Sequence, residues 1–475
     1  MSQIIGRLAE LKKLKALQSE PGSVFVALYG RRRVGKTFLV RQAFTNQFDF
    51  YLTGMANVTL SQQLANFHAA VQQYADPAKQ WEAADSWFNA FRQLSDLLEQ
   101  SKSEKKLVFL DELPWLDTPH SGFIPALEHF WNSWASARND VILIVCGSAA
   151  SWMINNLINN TGGLHNRITH RIKLEPFTLA ECEAFFKSKG GVFDRYQLIL
   201  LYMSIGGIPF YLNQVDVTAS AAQNINRMCF ETEGLLRNEF NNLYRSIFNK
   251  ADRHMAVIEA LSKKVKGLTR TDIIKAAKLL TGGGVTRILS ELEESGFIRK
   301  YVPFGKKERN SLYQLSDCYS LFYLRWIKNS STLDENTWIN QLDSPAQRAW
   351  SGYAFEQVCL AHIKEIKQGL GISGVQTATS SWISRVSKKG AQVDLVIDRR
   401  DQVITICEMK FSMNHFAIDK SYADELRNKI GVFREETKTR KAIFLCFVTT
   451  YGLTKNSYSA ALVQNEITMD VLFGD

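Results

Sequence analysis

The stretch Val24-Phe25-Val26-Ala27-Leu28-Tyr29-Gly30-Arg31-Arg32-Arg33-Val34-Gly35-Lys36-Thr37 decides the fold. Its first half is an apolar run of strand length, and its second half spells G-x-x-x-x-G-K-T. A buried strand followed by such a loop lets backbone N–H groups converge on phosphates, and a helix starting at Lys36 adds the positive end of its dipole. Lys36 is expected to reach the β- and γ-phosphates of a nucleoside triphosphate, and the Thr37 hydroxyl to sit on Mg2+. Gly30, Arg31, Arg32, Arg33, Val34, Gly35, Lys36, Thr37 and, just behind them, Phe38 are the expected nucleotide contacts.

A second site supports the first. Lys106-Leu107-Val108-Phe109-Leu110-Asp111-Glu112 reads as a buried parallel strand delivering two carboxylates to the same sheet edge. Asp111 would hold the Mg2+ of the nucleotide, and Glu112 would orient or deprotonate the attacking water. A third strand, Val141-Ile142-Leu143-Ile144-Val145-Cys146-Gly147, ends at Ser148, whose hydroxyl is placed to sense the γ-phosphate.

Composition bounds the rest. The 475 residues suffice for about three domains. With 45% hydrophobic and 22% charged residues, the chain has the make-up of a globular protein. The start, Met1-Ser2-Gln3-Ile4-Ile5-Gly6-Arg7, lacks signal-peptide architecture and no apolar run approaches a membrane span, so the expected address is cytoplasmic, with no membrane partner. Seven widely spaced cysteines form no C-x-x-C pair, which argues against a zinc site or a disulfide framework. A net charge of +10 fits an anionic partner such as nucleic acid, with solubility alone as the plainer explanation.

Along the chain, alternating strand and helix signals to residue 175 predict an α/β lobe, a parallel sheet covered by helices on both faces. Residues 155–163 carry a loop signal. Residues 176–250 read as helical, broken at Gly206-Gly207-Ile208-Pro209. Over 251–330, Thr269-Arg270-Thr271-Asp272 resembles a capping box, with Asp in place of Glu or Gln. A second helix bears Ile288, Leu289 and Leu292 on one face and stops at Gly296, and two strand candidates then flank the basic turn Gly305-Lys306-Lys307-Glu308-Arg309-Asn310. Helix, turn, helix and wing predict a winged-helix domain. Residues 263–309 hold twelve Lys or Arg against five Asp or Glu, which suits a phosphate backbone. Glu291, Glu293 and Glu294 on the recognition helix oppose it, and an internal hinge is the alternative.

The last lobe, 331–475, carries a second constellation. Gln392-Val393-Asp394-Leu395-Val396-Ile397-Asp398 and Val403-Ile404-Thr405-Ile406-Cys407-Glu408-Met409-Lys410 are strand candidates joined by a polar turn. A hairpin turning about Asp401 sets Asp394 opposite Glu408, and alternation puts Lys410 on the face of Glu408. Two carboxylates and an ammonium would then converge, as metal-assisted phosphodiester cleavage requires. Glu356, on a helix ahead of the hairpin, would add a further carboxylate. A solvated hairpin face with scattered charges is the alternative.

Together, Gly6-Arg7, the Gly30–Thr37 loop, Asp111-Glu112-Leu113-Pro114-Trp115, Cys146-Gly147-Ser148 and Gly206-Gly207-Ile208-Pro209 resemble the archaeal-type AAA ATPases of the STAND group. The resemblance implies ATP as the nucleotide, Gly6 and Arg7 near the adenine, Pro209 closing over the base, and Arg167 contacting phosphate in cis or in trans. The C-terminal lobe resembles the restriction-endonuclease-like PD-(D/E)-x-K group. That likeness implies Asp394, Glu408 and Lys410 as the motif residues and Glu356 as the helix acid, although Val393 stands where the motif has Pro. The expected activity is ATP hydrolysis coupled to a Mg2+- or Mn2+-dependent nuclease-like lobe acting on nucleic acid, DNA more than RNA, in a chain that forms a nucleotide-dependent homo-oligomer. Two alternatives stay open: an ATP-driven switch whose nuclease-like lobe only docks a partner, and a winged-helix DNA-binding regulator.

Overall fold

The computed structural model describes residues 4–160, 162–248, 250–330, 335–384 and 390–474. The Met1-Ser2-Gln3 start and Thr161 of the expected loop lie outside them. The chain divides into two compact units, Met1–Pro176 and Phe177–Asp475.

The first unit is built on strands β1 (Val24–Tyr29), β2 (Phe50–Thr53), β3 (Lys106–Asp111), β4 (Val141–Gly147) and β5 (His170–Lys173), in the order β2-β3-β4-β1-β5. Every neighbouring pair is parallel. Both β3 and β4 are buried along their whole length, as continuous apolar runs covered on two faces must be. The helices Leu60–Tyr74, Trp87–Gln100 and Phe123–Ser133 pack their apolar stripes on one face, where Phe67, Trp87, Phe91 and Phe123 meet edge-on or tilted.

The order has a consequence for chemistry. β4 lies between β1 and β3, so the residues following β4 must fall between the phosphate-binding loop and the two acids.

One expectation needs correction. The loop predicted over 155–163 is helical as far as Ile158, in a π-helical turn spanning Met153–Ile158. Met153, Leu157 and Ile158 are buried against the sheet core, and this packing overrides the turn preference of the asparagines between them.

In the second unit, helices Leu179–Ser188, Arg195–Ile205 and Ala221–Cys229 are followed by Ala251–Ser262, Arg270–Ala276 and Gly283–Glu294. A three-stranded antiparallel sheet joins these last three helices: β6 (Leu268–Thr269) lies between the first and second of them, and β7 (Ile298–Tyr301) and β8 (Leu312–Leu315) follow the third, in the order β6-β8-β7. Thr269 caps its helix by accepting the Asp272 N–H at 3.2 Å, and its hydroxyl donates to the Asp272 carboxylate at 2.6 Å. Glu291 is not a free acid on the second helix: it meets His254 Nε2 at 2.7 Å and accepts from Arg287 Nε at 2.8 Å.

The remaining sheet contains β9 (Thr377–Ile383), β10 (Gln392–Arg399), β11 (Val403–Lys410), β12 (Ala442–Thr449) and β13 (Asn465–Thr468), in the order β13-β12-β11-β10-β9. β9-β10-β11 is an antiparallel meander, whereas β11-β12-β13 run parallel. The hairpin pairs Leu395 with Cys407 and Asp398 with Ile404, the register expected from a turn about Asp401.

Side chains bridge the sequence positions near 250 and 330 within this unit. Leu179 N–H donates to His362 Nε2 at 3.1 Å, Arg195 holds Asp470 at 2.8 Å, and Tyr319 donates to Leu236 O at 2.6 Å. Phe304, ahead of the basic turn, packs on Phe433 with ring centroids 5.2 Å apart, and its N–H donates to Ser381 O at 2.7 Å. Among the described residues, no helix is long and apolar enough to cross a membrane.

Candidate functional site

The loop after β1 takes its shape from three residues with positive φ, Gly30 at 151°, Arg33 at 70° and Gly35 at 90°. A Cβ at Gly30 would lie 2.3 Å from the Leu174 carbonyl oxygen, so only glycine fits where the loop leaves the sheet. The helix Lys36–Ala43 begins directly afterwards, with its first-turn N–H groups facing the loop. Arg31 and Val34 are buried, Arg32 and Arg33 half-buried, and Phe38 exposed. Buried Lys36 donates through Nζ to Gly30 O, Arg31 O and Ser148 Oγ, each at 3.0 Å.

The acids lie beyond β4. Asp111 accepts from Thr37 Oγ1 at 2.8 Å on one oxygen, and from Cys146 Sγ and the Glu112 N–H, each at 3.0 Å, on the other. Glu112 sits in the left-handed region, φ 48° and ψ 50°, a costly conformation for a residue with a side chain. That backbone turn swings its carboxylate to Ser148, which donates from Oγ at 2.6 Å and from its N–H at 3.1 Å. Lys36, Ser148 and Glu112 thus form one hydrogen-bonded chain across three strand ends. The sequence pointed to each member, but not to the chain or to Cys146, because both follow from β4 lying between β1 and β3. The donors suit Mg·nucleotide: a hydroxyl and a carboxylate for a hard cation, an ammonium and free helix N–H groups for phosphates.

The other expected contacts are placed as follows. Gly6 and Arg7 both have positive φ, and the buried Arg7 guanidinium donates to the Glu175 carbonyl, one residue beyond the Leu174 that meets Gly30. Arg167 is exposed ahead of β5, and no described contact joins it to Lys36, Thr37, Asp111 or Ser148. Pro209 opens the short helix Pro209–Leu212 in the second unit.

In the second unit, Asp394 and Glu408 lie on β10 and β11 one step beyond the Leu395–Cys407 pair. The pairing of β10 with β9 shifts register between Val393 and Val396, a bulge that re-aims the Asp394 side chain. Asp394 accepts from Gln392 Nε2. Buried Glu408 accepts from Tyr422 Oη at 3.0 Å and from Lys429 Nζ, both on the helix Lys420–Thr437. Lys410 Nζ lies 4.8 Å from the Tyr422 ring centroid, a cation–π contact. Glu356 is carried by the helix Pro345–Ala361.

Burial, and then the neighbouring Asp394 charge, push the Glu356 carboxyl up to about 8. Asp394 is likewise raised, first by burial and then by Glu408, although Gln392, Lys429 and Lys266 pull the other way. Glu356, Asp394, Glu408, Lys410 and Lys429 therefore share one electrostatic neighbourhood. Among the described residues, no three side chains of metal-ligating type are gathered as a ready cage. Buried Glu408 and half-buried Asp394 still match Mg2+, which is commonly held by one or two carboxylates with water and substrate phosphate completing the shell. Lys429 and Tyr422 were not foreseen, since nothing local to the hairpin indicates which helix packs over it. Glu356 and Asp394 line a cavity of about 450 Å³ together with Lys266 and Arg299.

The first unit is thus a P-loop α/β domain, with Lys36, the Thr37–Asp111 pair and Glu112 at the carboxyl ends of adjoining strands. Residues 5–215 match the family described as an ATPase domain predominantly from Archaea, so the chain carries an ATPase domain of archaeal type. An uncharacterized protein of Methanocaldococcus jannaschii is 22% identical over 429 residues, covering 89% of this chain and 91% of that one. Among solved structures, a Walker-type ATPase of Pyrococcus abyssi is 19% identical with a TM-score of 0.47, covering 68% of this chain and 96% of that chain. The Aeropyrum pernix ORC2 protein is 15% identical with a TM-score of 0.40, covering 72% and 96% respectively.

Proposed function

We propose that the chain hydrolyses ATP in its first unit and that this activity governs a metal-dependent nuclease-like site in its second. The observation that carries the first half is the Lys36–Ser148–Glu112 chain beside the Thr37–Asp111 pair. Phosphate would draw Lys36 away from the Gly30 and Arg31 carbonyls, because a charged acceptor outcompetes neutral ones. Losing Lys36 alters the Ser148 hydroxyl, and the Glu112 carboxylate is freed to take a proton from water attacking the γ-phosphorus. Thr37 and Asp111 would hold Mg2+, which when bound neutralises charge developing on the phosphates. Gly6 and Arg7 would bound the base, and the exposed Arg167 would reach phosphate from a second copy.

For the second half, the elements run helix Pro345–Ala361, the short helix Ile363–Gly369, β9, β10, β11, helix Lys420–Thr437 and β12, an order that supports a restriction-endonuclease-like core. The run helix, β6, helix, helix, β7, β8, with the strands ordered β6-β8-β7, supports the winged-helix reading. Asp394 and Glu408 would hold Mg2+ or Mn2+, whose chemistry when bound is to lower the pKa of a water and polarise a phosphodiester. Lys410 would stabilise the charge growing on phosphorus, and Glu356, protonated near neutral pH, would join as a ligand on losing its proton. The lysine on Glu408 favours a second reading, in which the lobe rests closed and the protein acts chiefly as an ATP-driven switch.

Steady-state ATP turnover of the Lys36→Ala and Glu112→Gln variants tests the first half. Both are expected to lose hydrolysis, with Glu112→Gln still binding nucleotide. Turnover at the wild-type rate in either would remove the assignment.

A further inference from the structure

Arg299 is a half-buried cation without a carboxylate partner among the described residues. It lies on β7 and lines the cavity shared with Glu356 and Asp394. One guanidinium nitrogen donates to Gln357 Oε1, while its Nε is buried with no hydrogen-bond partner. Among the described residues, no carboxylate lies within ion-pair distance of it. Burial lowers its pKa, the direction expected of a cation removed from water without compensation. A charge held this way is costly unless something of opposite sign joins it.

The surroundings indicate what that partner is. Exposed Lys266 lines the same cavity as Arg299 and is near enough to draw the Asp394 pKa down. Ser380 and Ser381 on β9 contribute hydroxyls, and the Gln392 side-chain oxygen is buried without a partner. Cations and carboxylic groups lining one cavity suit a phosphate diester, with a divalent ion between it and the acids. The volume, about 450 Å³, lies in the usual range of ligand sites. The Phe304 contacts with Phe433 and Ser381 join the segment after β7 to the helix Lys420–Thr437 and to β9.

We propose that Arg299, on the three-stranded sheet, and Lys266, just ahead of β6, hold a nucleic-acid phosphate in this cavity beside Asp394 and Glu356. The site would then be built by two parts of the second unit rather than by the C-terminal sheet alone. This rests on the nuclease-like reading above for the role of the acids, but not for the binding of phosphate.

The test is the affinity of the full-length protein for a short fluorescein-labelled single-stranded DNA, with Ca2+ in place of Mg2+, across a salt series. Arg299→Met is expected to weaken binding about tenfold to a hundredfold, as for a lost hydrogen bond to a charged group. Lys266→Gln is expected to weaken it several-fold and to lower the salt slope by about one. Lys187→Gln is the control: Lys187 lies outside the cavity lining and is paired with Glu183 at 2.8 Å, so affinity should change little. Wild-type affinity and slope in both Arg299→Met and Lys266→Gln would overturn the proposal. If Arg299→Met fails to fold, Lys266→Gln decides alone, since its exposed side chain can change without disturbing the core. A separate Mn2+ titration of wild type and Asp394→Asn tests the nuclease-like reading. Absence of Mn2+ binding there, with the oligonucleotide effects intact, would remove the metal site and leave the phosphate cavity standing.

Discussion

Replacing Glu356 by Gln should stabilise the protein, and increasingly so as pH rises. The Glu356 carboxyl moves from an ordinary 4.5 to about 8, by burial first and by the Asp394 charge second. Between those two values the folded chain keeps a proton that the unfolded chain has released. Stability linked to this group is complete below the unfolded pKa, falls as pH rises, and is gone above the folded pKa. Each pH unit in that window costs about 1.4 kcal/mol, so the wild type should lose on the order of 3 kcal/mol through Glu356 between pH 5.5 and 7.5. Gln carries the neutral form's hydrogen bonding and cannot ionise, so Glu356→Gln escapes this loss. The assay is urea unfolding at several pH values, followed by circular dichroism and tryptophan fluorescence. Taking the difference between variant and wild type at each pH cancels the other titrating groups. A difference that grows by about 2–3 kcal/mol towards pH 7.5 is expected. A difference flat from pH 5 to 8 would refute the argument, showing that Glu356 is solvated and far from Asp394.

Two further outcomes follow from the first unit. Ser148→Ala removes the hydroxyl that donates to Glu112 at 2.6 Å and accepts from Lys36 at 3.0 Å. The turnover number for ATP should fall about tenfold to a hundredfold while nucleotide affinity changes little, because the lost bonds involve charged partners that act on the attacking water. Ser148→Thr should restore most of the rate, and unchanged turnover in Ser148→Ala would show the chain to be idle. Gly30→Ala would drive a methyl into the Leu174 carbonyl, 2.3 Å away and part of the backbone, at a φ of 151°. A loss of ~2–4 kcal/mol in stability is expected, seen as a clear fall in melting temperature. A variant that melts with the wild type would mean that the loop moves freely off β5.

What was legible in the sequence was whatever the chain writes locally. The phosphate-binding loop is eight consecutive residues, and the strands that bring in Asp111 and Ser148 are unbroken apolar runs. The Asp394–Glu408 juxtaposition was readable because a short turn fixes the register of its hairpin. Contacts that depend on strand order or helix placement were not readable. Ser148 clamps Glu112 only because β4 separates β1 from β3, an arrangement that no local pattern states. Lys429 reaches Glu408 from a helix that packs across the sheet, and Arg299 reaches the same cavity from a different sheet. The acids on the Gly283–Glu294 helix show the same limit, since no local pattern indicates that His254, 37 residues earlier, hydrogen-bonds Glu291.

The most direct test of the account is cleavage of labelled single- and double-stranded DNA and RNA by the purified full-length protein, with Mg2+ or Mn2+, with and without ATP. The Asp394→Asn/Glu408→Gln and Lys36→Ala variants are run alongside. Metal-dependent cutting that disappears in the double variant, and whose dependence on ATP disappears in Lys36→Ala, is the predicted result. No cutting of any substrate while ATP turnover remains intact, or cutting that survives loss of both carboxylates, would contradict it.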